Sequence, residues 1–163
     1  MPRTPSFPRL SAALLAATVF AAPAFALELP TRQVLTLEAA RAVAAAAEAK
    51  ASAEGWPCVI SVVDDSGSPI LLTRMDNAAV PAGVELAPGK ARTAALFRRE
   101  SGALENAING QRPAAITARG FVLMRGGLPI VVNGQVVGAI GVSADTPDHD
   151  ELIAKAGVAA INK

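Results

Sequence analysis

Gly126-Gly127-Leu128-Pro129-Ile130-Val131-Val132-Asn133-Gly134-Gln135-Val136-Val137-Gly138-Ala139-Ile140-Gly141-Val142-Ser143-Ala144-Asp145 decides the fold. Two apolar, β-branched runs flank Asn133-Gly134. That dipeptide accepts φ > 0 at both positions and so suits a two-residue type I′ hairpin. Glycines recur at 138 and 141 within the second run. Inside a strand they mark a bulge, or a place where another backbone comes close. A hairpin this apolar needs cover on at least one face, which places it at the centre of a sheet.

Upstream, Cys58–Val63 and Ile70–Met75 are β-prone runs separated by Asp64-Asp65-Ser66-Gly67, which is turn chemistry, so they form a second hairpin. Phe121–Met124 is expected as a further strand, making five. Residues 37–54 form an alanine-rich helix: Thr36 is the N-cap, Glu38 lies in the first turn and Gly55 stops it. Its inward stripe is Leu37, Ala40, Val43, Ala44, Ala47 and Ala51. A helical region over 80–98 is expected to break at Pro88-Gly89, with Pro88 opening a new helix. Residues 101–108 form a short helix ended by Asn109-Gly110. A last helix starts at Thr146 or Pro147 and runs to Ile161. Tightly joined consecutive strands with helices between argue for an antiparallel sheet with helices packed on it, an α+β layer fold.

Composition narrows the function classes. Of the 163 residues 52% are hydrophobic but only 4% aromatic, so the core must be built from Ala, Val, Leu and Ile. Net charge is +1, which supplies no broad basic field for nucleic acid. Arg3 and Arg9, the apolar run Leu10–Phe20 and Ala24-Phe25-Ala26 have the layout of a secretory signal peptide. The run is too short to span a bilayer. Met1–Ala26 is therefore expected to be removed, leaving one domain over 27–163 in a periplasmic or secreted protein. Cys58 is the single cysteine, so no intrachain disulfide forms, and in an apolar run it is expected to be buried.

Four ordered motifs carry a resemblance: Val62-Val63-Asp64-Asp65-Ser66-Gly67, Arg74-Met75-Asp76, Lys90-Ala91-Arg92-Thr93-Ala94, and Gly126-Gly127-Leu128-Pro129 with the hairpin through Ser143. Over residues 34–162 the chain resembles the GlcG/HbpS family, haem-binding-protein-like domains similar to the C-terminal domain of PduO-type proteins. The resemblance implies a profilin-like fold, a five-stranded antiparallel sheet flanked by helices, in homo-oligomers. It also implies binding of haem, or of a corrinoid in relatives. Where relatives carry a Ser-Gly turn after the last strand, this chain has Ser143-Ala144-Asp145-Thr146.

Several residues are candidates for that chemistry. Lys90 and Arg92 lie in the Lys-Ala-x-Thr-Ala motif, where a cation can pair with a propionate or another small carboxylate. Thr93, three residues beyond Lys90, faces the same way. Asp76 either caps the following helix or faces a ligand beside Lys90. Met75 and Met124 are thioethers that either ligate haem iron or fill core. His149, the only histidine, either ligates the metal or is a solvated surface residue between Asp148 and Asp150. Arg98 and Arg99 extend the basic concentration, and Asp64 and Asp65 are expected to do turn work. No nucleophile–His–acid set and no phosphate loop is present. The reading is an exported tetrapyrrole-binding protein that sequesters or senses haem, in a pocket or interface formed by the Lys90–Thr93 helix and the sheet. The alternatives are an enzyme acting on haem or a short carboxylic acid, and a sensory or structural partner protein.

Overall fold

In a computed structural model that describes residues 27–161, the chain runs α1 (Leu37–Glu54), β1 (Val59–Asp64), β2 (Pro69–Arg74), α2 (Gly83–Phe97) and α3 (Ser101–Asn109). A 3-10 turn (Pro113–Thr117), β3 (Gly127–Val132), β4 (Gln135–Ser143) and α4 (Pro147–Ala159) follow. The expected leader, Met1–Ala26, lies outside the described residues. Among the described residues the strands form one antiparallel sheet in the order β2-β1-β4-β3, with β1 and β4 at its centre, so of the Asn133-Gly134 hairpin expected there only β4 is central and β3 is an edge. Pro69 and Pro129 fall on the two edge strands, where a missing N–H costs least. Asn133 (φ 49°) and Gly134 (φ 77°) are both left-handed, as the β3–β4 turn requires.

Two expectations are corrected. Phe121–Met124 is not a strand, so the sheet has four strands rather than five. Side chains take up its backbone instead: the Val122 N–H donates to Thr93 Oγ1 (3.1 Å) and the Arg125 N–H to Glu105 (2.5 Å). Pro88 does not begin a helix either but sits inside α2. Proline there is unfavourable by intrinsic propensity, and tertiary packing overrides it.

The sheet's faces differ. On one, Ile60, Val62, Ile130, Ile140 and Val142 meet α1 (Ala40, Val43, Ala44, Ala47, Ala51) and α4 (Ile153, Ala154) in the main core. Leu37, expected in the stripe of α1, is 45% exposed. Both helices start at threonine caps: Thr36 accepts from the Ala39 N–H and Thr146 from the His149 N–H. The other face carries Gly127, Ala139 and Gly141 beneath α2, which has no side-chain cap at Ala82. A Cβ on Gly141 would stand 2.1 Å from the Ala87 carbonyl oxygen, and one on Gly127 2.3 Å from that of Lys90. The backbone of α2 therefore rests on the backbone of the sheet. Gly138 combines both expected roles. A Cβ there would meet the Val63 carbonyl oxygen at 2.4 Å, and the β3–β4 register shifts beside it, skipping Val137.

Candidate functional site

The backbone of α2 rests directly on the sheet at Gly127 and Gly141, and both Lys90 and Thr93 are buried there. Thr93 is fully buried; its hydroxyl donates to the Gly89 carbonyl (2.8 Å) and accepts from Val122 N–H. Lys90, 1% exposed, passes under Gly126 at the end of the sheet. Its ammonium donates to the Val142 carbonyl (3.0 Å) and to Asp150 Oδ2 on α4 (2.5 Å). The other carboxylate oxygen of Asp150 accepts from the Ala144 N–H (2.5 Å). Burial holds the Asp150 carboxyl above its ordinary range, against the opposing pull of Lys90.

The remaining candidates are dispersed. Arg92 is exposed, its guanidinium 5.8 Å from the centre of the Phe121 ring. Asp76 is exposed in the turn after β2. Met75 turns toward the main core, where its sulfur lies 3.7 Å from Cys58 Sγ. Burial, with Asp150 and Glu48 adding to it, pushes the Cys58 thiol up to about 12, which makes it inert at neutral pH. His149 is half-buried. Its ring stacks on Trp56 (centroids 3.6 Å, 9° between planes), and Nδ1 meets Asp145 Oδ1 at 2.7 Å. That bond to His149 pulls the Asp145 carboxyl below its usual range. Among the described residues no cluster of three or more His, Cys, Asp or Glu side chains could hold a metal ion. Asp64 does turn work: one oxygen accepts from the Ser66 N–H (2.8 Å), the Ser66 hydroxyl (2.6 Å) and the Ser68 N–H (2.9 Å).

A concave surface lies beyond the C-terminal end of α2. A groove of about 440 Å³ is lined by Phe97, Leu104, Leu123 and Thr117, with Arg99 and Arg112 on it. A second, of about 270 Å³, shares Leu123 and adds Ile108, Ile116, Phe121 and Met124. Phe97 and Phe121 meet edge to face, 4.9 Å apart. Among the described residues, no ion pair involves Arg99 or Arg112. Apolar walls with a few convergent polar groups are what a small-molecule site needs. Of the segment that forms this wall, residues 113–124, the sequence suggests a strand at Phe121–Met124, which hides the groove. Only the aromatic and arginine clustering hinted at it.

Residues 35–159 match the family model described as haem degrading protein HbpS-like. The chain belongs to that family. It is 42% identical over 113 residues to Protein GlcG of Escherichia coli (strain K12), a match covering 69% of this chain and 84% of GlcG. Its fold is similar to that of a double mutant of HbpS from Streptomyces reticuli, with TM-score 0.76 and 33% identity, covering 90% of this chain and 98% of that one. It is also similar to PduOC in the crystal structure of its complex with haem, with TM-score 0.73 and 27% identity, covering 80% and 96%. The GlcG/HbpS resemblance and the PduO relation are therefore shown.

Proposed function

We propose that this HbpS-like protein binds haem in the double groove joined at Leu123, and that it sequesters or senses the ligand after export. The observation that carries the reading is an apolar, aromatic-walled groove bearing two guanidinium groups with no carboxylate partner among the described residues. A planar tetrapyrrole buries its faces against Phe97, Leu104 and Leu123, while its propionates pair with Arg99 and Arg112. Met124 is the sulfur lining the groove and would offer a thioether to the iron. When bound, haem supplies a redox-active iron; the chain supplies the walls, the cations and shelter from water. The family match and the haem complex of PduOC support this reading. A corrinoid is the less favoured occupant. The same proposal includes a profilin-like arrangement of sheet and helices, assembly into homo-oligomers as suggested by the relatives, and cleavage after Ala26 into a periplasmic or secreted form.

Titration of haem into the protein, followed at the Soret band, tests the site. Saturable binding is expected, weakened roughly tenfold by Arg99→Gln and again by Arg112→Gln, since each charge-assisted bond is worth about 1.5–3 kcal/mol. Saturable binding that neither substitution weakens would move the site elsewhere, and absence of a saturable shift would end the haem reading.

A further inference from the structure

The buried Lys90–Asp150 pair stands on a second cleft of about 140 Å³, which shares only Met124 with the double groove. Val80, Leu86 and Met124 give it apolar walls; Ser143, Arg125 and Asp145 also line it. Two hydrogen-bond donors there have no use within the fold. An ammonium has three protons, and that of Lys90 spends two, on the Val142 carbonyl and Asp150. Ser143, only 3% exposed at the end of β4, makes no side-chain hydrogen bond among the described residues. It is held in place by the start of α2, where a Cβ on Gly83 would lie 3.4 Å from Ser143 Cβ. The Ser143 hydroxyl and the third ammonium proton line one small cleft and are open there to an acceptor.

Charge decides what kind of acceptor. Lys90 faces Asp150 at 2.5 Å, and Arg125 faces Glu151 at 3.3 Å and Asp148 at 3.4 Å. Asp145 is engaged by His149 at 2.7 Å. Each charged group on the cleft already has a partner, and a further carboxylate would enter beside two anions. The donors are spare while the charges are not. The cleft is small, about 140 Å³, and suits a compound of few heavy atoms.

We propose that this cleft is a second binding site, for the oxygen of a small uncharged carbonyl compound such as a short-chain amide or ketone. The carbonyl oxygen accepts from Lys90 Nζ and Ser143 Oγ, and its aliphatic tail lies on Val80, Leu86 and Met124. No bond is made or broken.

Amide NMR of the full chain without haem, titrated with propionamide, tests this. Saturable shifts confined to the Ser143–Thr146 segment and Lys90 are expected, with sodium propionate binding at least several-fold more weakly. Ser143→Ala removes a hydroxyl that no protein group uses, so it should keep the wild-type melting temperature while weakening propionamide roughly tenfold, the scale of one lost hydrogen bond. Arg99→Gln, which lies in the other groove, should leave propionamide binding unchanged. Propionate binding as well as propionamide, unaltered affinity in Ser143→Ala, or shifts that never saturate would each overturn the proposal.

Discussion

The two faces of the sheet solve the same packing problem in opposite ways. Beneath α1 and α4 the contact is made of side chains: Ile60, Val62, Ile130, Ile140 and Val142 interlock with alanines and Ile153. Beneath α2 it is made by leaving side chains out, with Gly127 and Gly141 bringing two backbones into contact. The first face tolerates the loss of a methyl group at moderate cost, because neighbours relax partway. The second has no slack, since a backbone cannot rotate out of the way. The difference also places the ligand sites. A face sealed by backbone contact leaves little room under Gly127 and Gly141, and the double groove lies beyond the end of α2, where the chain becomes irregular.

Lys90 ties the two faces together: it leaves α2 on the glycine face and its ammonium ends on Asp150 of α4, which packs on the other. Breaking that tie should produce the largest effect. Lys90→Met strands a buried carboxylate and is expected to cost roughly 3–5 kcal/mol, measured by urea unfolding. Lys90→Met combined with Asp150→Leu removes both charges and should recover most of the loss, because replacement of a buried pair by apolar groups is often neutral. If the double variant is no more stable than the single, the tie works through shape rather than charge.

A pair of neighbours on β4 compares the faces directly. Gly141→Ala adds one methyl group under α2, where it would meet the Ala87 carbonyl oxygen and the Ala91 nitrogen at 2.1 and 2.5 Å. Ile140→Val removes one methyl group from the fully buried opposite side. The addition is expected to cost about 2–3 kcal/mol and the removal about 1 kcal/mol. Equal costs would mean that α2 can lift off the sheet, and the contrast between the faces would fail.

Much of this was readable in the residues, for a reason tied to the same contrast. Turn and cap signals are local: Asn133-Gly134, Asp64–Gly67, Thr36 and Gly55 each act within a few residues, so both hairpins and α1 stood out. The strand glycines announced a bulge or a close approach, the two uses of glycine in a β-branched run. Non-local satisfaction of backbone groups left no such mark. Phe121–Met124 has strand composition, yet the Val122 N–H goes to Thr93, 29 positions away, and the N–H of Arg125, which follows the segment, goes to Glu105, 20 positions away. Lys90 stands out in the sequence as a candidate, but its partner Asp150 is 60 positions distant, beyond the reach of any local pattern. Thr93 looked like a ligand-facing neighbour of Lys90, and its hydroxyl is consumed in holding the loop.

The smallest predicted effect concerns pH and isolates the Asp150 carboxyl from the rest of the tie. Burial raises its pKa in the folded protein above the ordinary value of 3.8, and Lys90 only partly offsets this. Below pH 3.8 the group is protonated in both states and its contribution is fully present. As pH rises past 3.8 the unfolded chain loses the proton first, so stability falls until the folded carboxyl ionises too, and then levels off. The slope for one group cannot exceed about 1.36 kcal/mol per pH unit. Asp64 runs the other way. Burial pushes its carboxyl up, but the hydrogen bonds from Ser66 and Ser68 outweigh that and hold it low, so its contribution is present above pH 3.8 and lost in stronger acid. Subtracting the unfolding profile of Lys90→Met/Asp150→Leu from that of the wild-type protein cancels Asp64 and leaves Asp150. The difference should decline with rising pH from 3.8 upward. A difference that instead grows with pH would mean that Lys90 outweighs burial, making the pair a net stabiliser of the contact between the two faces.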